Sequence, residues 1–217
     1  SPNFHYLYSN NPLITPNPMR TKWLLYMGVL SPLLFWTTTL LCGLFLSDYN
    51  HLNGLVSQLG AMGTDTQHLF TAGLVLSSAL NLLFVIEMFR FARAHQLHRL
   101  PVAFLVFYSF LAGPAIVPMP LPLHGIVGLP FVLLMLAPIL ALILWRKKEN
   151  ILKLRTAALI SCIFLLLSFL VLFPNILPEY IGLKQRLLYA GWTIWSVSLS
   201  YRALKVSHEK LLTGVFR

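Results

Sequence analysis

Six stretches of this chain are apolar over about the length that a helix needs to cross a membrane. Such a helix presents roughly 20 mostly apolar residues to a hydrocarbon core about 30 Å thick. Because backbone polar groups find no partners in lipid, these stretches should be helices rather than strands. The sequence therefore predicts an all-α fold, a polytopic six-helix transmembrane bundle. The predicted windows are Trp23–Leu46, His68–Phe89, Leu100–Pro118, His124–Trp145, Leu154–Phe173 and Gln185–Leu204.

Charged residues are scarce and are concentrated in the connections between these windows. Hydrophobic residues make up 57% of the 217 residues and charged residues 10%, with a formal net charge of +10. Of the sixteen lysines and arginines, all except Lys184 and Arg186 fall on one side of the predicted bundle. Positive charge marks the cytoplasmic side of a membrane protein, so both termini are expected to be cytoplasmic. The basic loops then face anionic headgroups, which makes membrane lipids the expected partners and argues against nucleic acid.

The same pattern divides the chain into three parts. Residues 1–18 are polar and rich in Pro and Asn, without a hydrophobic signal region. They are expected to be an N-terminal extension that is vector-derived or disordered. The six-helix domain is predicted over residues 19–205, and residues 206–217 form a cytoplasmic tail. The two cysteines, Cys42 and Cys162, fall inside predicted windows and make no metal-binding motif, so no cofactor is expected.

A polar segment between the first two windows contains many of the few polar and titratable side chains in this chain. It carries two of the six carboxylates and two of the seven histidines within about twenty residues. Another histidine opens the fourth window after a proline-rich turn, and the predicted topology places it on the same, extracytoplasmic side. Glycine and alanine near the middle of the segment allow tight turns that could fold back into the mouth of the bundle. The candidate ligand-binding residues are Asp48, Asn50, Ser57, Gln58, Asp65, His68 and His124.

Three chemistries are open to these residue types. Ser57 could be a nucleophile with His124 or His68 as its base and an aspartate as orienter, although no GxSxG-type elbow is present. A second possibility is a metal held by His51, His68 and His124, but their spacing matches no metal-binding motif. The third is a polar network that binds a lipid headgroup or small solute, and it needs no special spacing. We expect the third, with an enzyme and a structural subunit of a membrane complex as alternatives.

The residues of this segment also resemble those of a known family. Asn50 precedes the string Ser57-Gln58-Leu59-Gly60-Ala61, and a proline-containing turn precedes His124. In these features the chain resembles the family called domain of unknown function 998, whose members are six-helix integral membrane proteins. The resemblance covers roughly residues 23–201. The family often has an acidic residue after the serine, where this chain has Gln58, and another in the proline turn, where it has none.

These observations predict an integral membrane protein, placed in a prokaryotic cytoplasmic (inner) membrane. Its function would be to bind or handle a lipid or small amphipathic molecule in a polar pocket on the extracytoplasmic side. The alternative enzyme would be a hydrolase or acyl transferase using Ser57 with His124 or His68. A membrane-protein partner or a homo-oligomer is compatible with either function.

Overall fold

Six long helical segments follow one another along the part of the chain that the structure describes. A computed structural model describes the backbone of residues 18–212 and the side chains of residues 23–149 and 152–209. The predicted N-terminal extension therefore lies almost wholly outside the described residues, as does the end of the predicted tail. The helices are α1 (Pro18–Phe45), α2 (Gln67–Ala94), α3 (Leu100–Ile116), α4 (His124–Leu144), α5 (Arg155–Leu172) and α6 (Ile181–Leu212).

Each predicted window coincides with one helix, and no strand occurs between residues 18 and 212, so the all-α prediction is confirmed. The interiors of α3 and α4 tighten into 3₁₀ geometry at Phe104–Leu111 and Leu129–Met135. Pro130 lies at the start of the second stretch, where its missing N–H removes a helical hydrogen bond. The last helix continues to Leu212, so the predicted tail begins as helix.

Four helices are long and apolar enough to cross a membrane: α1 from Trp23, α2, α4 and α5. These are the helices of an integral membrane protein. The α3 helix is apolar but shorter, and α6 is not among the four. The first turns of α6 carry Lys184 and Arg186, both of which are buried. Crossing by all six helices, and the side on which the termini lie, stay predictions.

Hydroxyl groups bonded to backbone carbonyls join the central helices. Ser31 of α1 donates to the Ser77 carbonyl at 2.7 Å, and Ser77 of α2 donates back to the Ser31 carbonyl at 2.8 Å. The Tyr108 hydroxyl of α3 lies 2.8 Å from Ser77 Oγ. Because that serine already uses its proton, Tyr108 is the donor of this bond. Small hydroxyl residues thus let α1 and α2 approach closely while the hydroxyl protons of Ser31, Ser77 and Tyr108 each have an acceptor.

The α6 helix is held in the bundle by the same kind of bond. Its Ser196 and Ser200 donate to the carbonyls of Gly28 and Leu25 on α1, at 2.9 and 2.7 Å. On the opposite side, Ser161 of α5 donates to the Gly191 carbonyl of α6 at 2.7 Å. In the centre, the rings of Tyr108 and Trp192 stack with their centroids 3.4 Å apart. The buried serines of α6 therefore face a neighbouring helix and not the outside of the bundle.

The connections gather at two ends of the bundle. One end, called here the polar-loop end, carries the connections 46–66, 117–123 and 173–180. They contact one another, since Met62 N–H donates to the Met119 carbonyl at 2.8 Å. The other end, called the basic end, carries the connections 95–99 and 145–154. There, Trp145 Nε1 donates to the His98 carbonyl at 2.8 Å.

The first connection rests directly on the start of α6. Leu183 N–H donates to the Leu52 carbonyl at 2.9 Å. A Cβ on Gly182 would lie 2.9 Å from the His51 carbonyl oxygen and closer still to that of Gly54. Backbone atoms cannot move aside as a flexible side chain can. Only glycine at this position allows the two backbones to touch.

Replacing Gly182 with Ala should therefore destabilise the protein by about 1–3 kcal/mol, because the added methyl group overpacks a backbone contact. Thermal unfolding of the purified protein in detergent measures the effect. Gly125→Ala on α4 is the matched control, since a Cβ there meets nothing within 4 Å. A change as small in Gly182→Ala as in this control would contradict the packing argument.

Candidate functional site

The most heavily hydrogen-bonded side chain at the polar-loop end is Arg186, on the second turn of α6, which is only 8% exposed. Its Nη1 donates to the carbonyls of Gly54 at 2.9 Å and Gly182 at 3.0 Å. Its Nη2 donates to the Tyr49 hydroxyl at 2.7 Å and lies 2.9 Å from His51 Nδ1. A guanidinium has no acceptor atom, so His51 Nδ1 must accept and the ring must be neutral. This group of residues is called the Arg186 cluster below.

Burial in the Arg186 cluster favours the neutral forms of its titratable members, His51 and Tyr49. Burial, together with the positive charge of Arg186, lowers the pKa of His51. Burial raises the pKa of Tyr49, although Arg186 opposes this effect. The Tyr49 hydroxyl accepts from Arg186 and donates to the Leu55 carbonyl at 2.9 Å or the Gly54 carbonyl at 3.1 Å. The cluster therefore fixes the conformation of residues 49–55 against α6.

Two neighbours of Arg186 on α6 extend this anchoring. Lys184, only 3% exposed, donates to the carbonyls of Leu170 at 3.3 Å, Phe173 at 3.1 Å and Ile176. These carbonyls lie at and just beyond the end of α5, where cations interact well with unpaired backbone acceptors. Gln185 Oε1 accepts from Val56 N–H at 2.7 Å. The start of α6 thus holds two of the three connections at this end.

Asn50 and Gln58, both predicted to bind a ligand, bond to the backbone of their own loop. Asn50 Oδ1 accepts from Leu52 N–H at 2.8 Å, the geometry of an Asx turn. Gln58 Oε1 accepts from Leu55 N–H at 2.9 Å, at the start of the 3₁₀ turn Val56–Gly60. A carboxylate could accept the same bond, which gives a structural reason why Gln and an acidic residue can replace each other here.

Ser57 lies in the wall of a cavity of about 80 Å³, called here the Ser57 cavity. Its hydroxyl donates to Met119 Sδ at 3.2 Å. The other described wall residues come from the same loop and from α2, α3, α4 and α6, and they are apolar except for Tyr189. They are Val56, Phe70, Leu74, Leu111, Pro114, Ala115, Gly128, Phe131 and Tyr189. Ser57, Pro114 and Gly128 are only half-buried, so the cavity reaches the surface between α3 and α4.

The structure does not join Ser57 to the two candidate base histidines. His124 Nδ1 lies 2.7 Å from the Val117 carbonyl, one turn before Gly128 in the cavity wall. His68 is exposed on the first turn of α2. Among the described residues, no hydrogen bond connects Ser57 with either imidazole. A nucleophile activated by a neighbouring base is therefore not assembled in this conformation.

The remaining candidates, Asp48 and Asp65, are exposed, and their side chains make no hydrogen bond within the described part of the chain. Asp48 takes a positive φ of 61°, which an aspartate in a turn tolerates. Among the side chains of residues 23–149 and 152–209, no three from His, Cys, Asp or Glu are grouped so that they could hold a metal ion. His51, His68 and His124 accordingly do not form a metal site, and His51 serves the Arg186 cluster instead.

Sequence reasoning missed the residues that position this end of the molecule, namely Lys184, Gln185 and Arg186. A signal for them exists in the charge distribution. Lys184 and Arg186 are the two basic residues that do not follow the positive-inside pattern, and Gly182 precedes them. A basic residue that departs from the positive-inside pattern and lies close to a glycine indicates a side chain that makes a specific contact. The wall residues of the Ser57 cavity are ordinary apolar residues and carry no such signal.

Acidification should loosen the loop around His51. The pKa of His51 in the folded protein is lower than the value of about 6.5 expected in the unfolded chain. The neutral imidazole thus contributes stability above about pH 6.5, and this contribution is lost as the pH falls through the folded pKa. A protonated ring would place a second cation beside Arg186. Amide hydrogen exchange of residues 49–55, corrected for intrinsic rates, should show more frequent opening at pH 5 than at pH 7.5.

The matched variant is His51→Gln, because a glutamine oxygen can accept from Arg186 without titrating. It should remove most of the pH dependence and keep the protection at pH 7.5. His68→Gln, at an exposed histidine of the same end, should leave the pH dependence unchanged. An unaltered response in His51→Gln would show that another group controls the loop.

Comparison with known proteins identifies a family for most of the chain. Residues 29–202 match a family described as "Protein of unknown function (DUF998)". No curated protein and no solved structure matches the chain. The matched region runs from α1 into α6 and includes the polar loop, the Ser57 cavity and the Arg186 cluster. The chain therefore belongs to the DUF998 family of proteins of unknown function.

Proposed function

We propose that this protein binds a lipid or another small amphipathic molecule at the Ser57 cavity. The observation that carries the proposal is the position of one hydroxyl, Ser57, in the wall of an otherwise largely apolar cavity that reaches the surface between α3 and α4. Ligand sites of membrane and soluble proteins combine apolar walls with a few placed polar groups. An amphipathic molecule supplies both kinds of surface.

The size of the Ser57 cavity limits how much of the ligand it holds. Its volume of about 80 Å³ is well below the 300–1,000 Å³ of pockets that enclose a whole drug-sized ligand. We infer that the junction between polar and apolar parts lies at Ser57. The remainder of the molecule extends into the surrounding lipid. The Arg186 cluster and the Gln185–Val56 bond keep the loop that carries Ser57 in place.

The hydrogen-bond pattern favours binding over catalysis. The Ser57 hydroxyl donates to a thioether and not to an imidazole. A weak acceptor such as the Met119 sulfur is easily exchanged for a ligand oxygen, whereas an activated serine needs a base within reach. We place the Ser57 cavity on the extracytoplasmic side of a prokaryotic inner membrane, because the opposite end of the bundle carries the basic residues.

Mass spectrometry of the detergent-purified protein tests this proposal. Under native conditions we expect a lipid-sized mass in addition to the chain, and under denaturing conditions the chain alone. Ala115→Leu, which fills the cavity from its wall, should reduce the occupied fraction at least about tenfold, since it removes the space for several methylene groups. Ala79→Leu makes the same change at an exposed position of α2 and should have no effect.

Ser57→Ala separates the binding function from the alternative enzyme. It should lower the affinity for the bound molecule about two- to tenfold, which is the effect expected from the loss of one hydrogen bond. A mass that persists under denaturing conditions and maps to Ser57 would instead identify a covalent intermediate of a hydrolase or acyl transferase. A bare chain under native conditions, in the parent protein, would contradict a retained ligand.

A further inference from the structure

A second and larger cavity lies at the basic end, far along the bundle from the Ser57 cavity. Its volume is about 300 Å³, within the range of small-molecule sites. It is formed by the end of α4, the connection 145–154, the start of α5 and the middle of α6. None of the residues that suggested a function from the sequence lies in its wall. It is called the basic-end cavity below.

The apolar wall of the basic-end cavity continues onto the lipid-facing surface of the bundle. Leu142 of α4 and Leu159 of α5 belong to this wall, and Leu159 is 47% exposed. Leu159 lies four residues into α5, about 6 Å along the helix from its first residue. In a membrane, this side of the cavity would therefore be open towards hydrocarbon.

The part of the cavity wall at the connection 145–154 and the first residue of α5 is cationic. Arg146 and Arg155 belong to its wall, are exposed, and form no ion pair within the described part of the chain. Glu149 also lies in the wall, but one of its carboxylate oxygens accepts from the backbone N–H of Arg155 at 2.8 Å, at the start of α5. Two guanidinium groups against one engaged carboxylate leave a net positive site. Guanidinium groups bind phosphate through paired hydrogen bonds.

A buried tryptophan also belongs to the wall of this cavity. Trp195 is 1% exposed and forms part of the wall, and its indole N–H has no acceptor among the described residues. The neighbouring Trp145, which packs against it with ring centroids 6.3 Å apart, donates to the His98 carbonyl instead. The nitrogen itself is covered by neighbouring atoms, so a small movement of the ring is needed before it reaches the cavity. A buried donor without an acceptor is unfavourable, so a ligand oxygen that accepts from it after this movement would be stabilised.

We propose that the basic-end cavity binds an anionic phospholipid, with its phosphate at Arg146 and Arg155 and the start of an acyl chain along Leu142 and Leu159. An oxygen of the glycerol or ester region accepts from Trp195. Basic pockets between membrane helices on the cytoplasmic side are suited to anionic headgroups. The opening towards hydrocarbon favours a lipid over a free phosphate. This site is independent of the Ser57 cavity and does not rest on the function proposed there.

Thermal stabilisation of the delipidated full chain in non-ionic detergent tests the proposal. A ligand that binds the folded state raises the unfolding temperature according to its affinity. Phosphatidylglycerol should raise it strongly, while phosphatidylcholine and inorganic phosphate should have little effect. Arg146→Gln with Arg155→Gln should weaken the phosphatidylglycerol affinity about tenfold or more. Lys147→Gln with Lys153→Gln removes the same charge from the same connection outside the wall and should retain the affinity.

Tryptophan variants test the proposed hydrogen bond separately from charge. Trp195→Phe keeps an aromatic ring and removes the donor, so phosphatidylglycerol affinity should fall about two- to tenfold. Trp192→Phe is its control, because the Trp192 N–H also lacks a described acceptor but does not lie in the wall. The unfolding temperature without lipid shows whether either variant is folded.

Four results would overturn the proposal. Equal losses in the arginine and lysine pairs would indicate general surface attraction rather than a built site. Equal stabilisation by phosphatidylcholine would show that the site does not require a headgroup with net negative charge. Stabilisation by inorganic phosphate alone would identify a site for a soluble anion. Unchanged affinity in Trp195→Phe would contradict the proposed binding mode, in which a lipid oxygen accepts from the indole.

Discussion

The bundle depends on hydroxyl groups that donate to the backbone carbonyls of neighbouring helices. In an apolar surrounding, association gains little from hydrophobic burial, so close packing and interhelical hydrogen bonds must hold the helices together. The reciprocal Ser31–Ser77 bonds join α1 to α2, and Ser196 and Ser200 join α6 to α1. Three of the four acceptor carbonyls lie inside regular helix, and the fourth, that of Gly28, is the one left without its usual helical donor because residue 32 is proline. The polar groups therefore connect the helices without interrupting them.

Side-chain donors also pair with backbone carbonyls at the polar-loop end, where Arg186 takes the place of water as the partner of the loop backbone. One guanidinium satisfies two carbonyls, a phenol and an imidazole, and Lys184 does the same for the end of α5. Burying a cation is costly unless each of its protons finds an acceptor. The loop supplies these acceptors, so loop and helix depend on each other. Ser57 is placed at the edge of its cavity as a result.

How much the sequence could predict differs between helices and site. Long apolar windows are a strong signal, and all six coincide with helices. The chemical type of a residue suggests a candidate for binding but does not reveal its hydrogen-bond partner. Asn50 and Gln58 have polar side chains, yet both bond to their own loop. In the sequence, Lys184 and Arg186 stand out only as exceptions to the charge distribution, since most of their acceptors are backbone carbonyls that no residue type marks. The basic-end cavity is built from residues that, one by one, are typical of any membrane protein.

The polarity of α6 has a consequence for how the protein is made. A helix that begins with buried Lys184 and Arg186 and buries Ser196 and Ser200 would not partition into lipid readily by itself. Its acceptors are on α1, on the first loop and at the end of α5, all of which are synthesised earlier. The earlier helices would thus form a receptive surface at the translocon, and α6 would enter the membrane by docking onto them. The last step of membrane insertion would then be driven by contacts between helices rather than by the hydropathy of α6 itself.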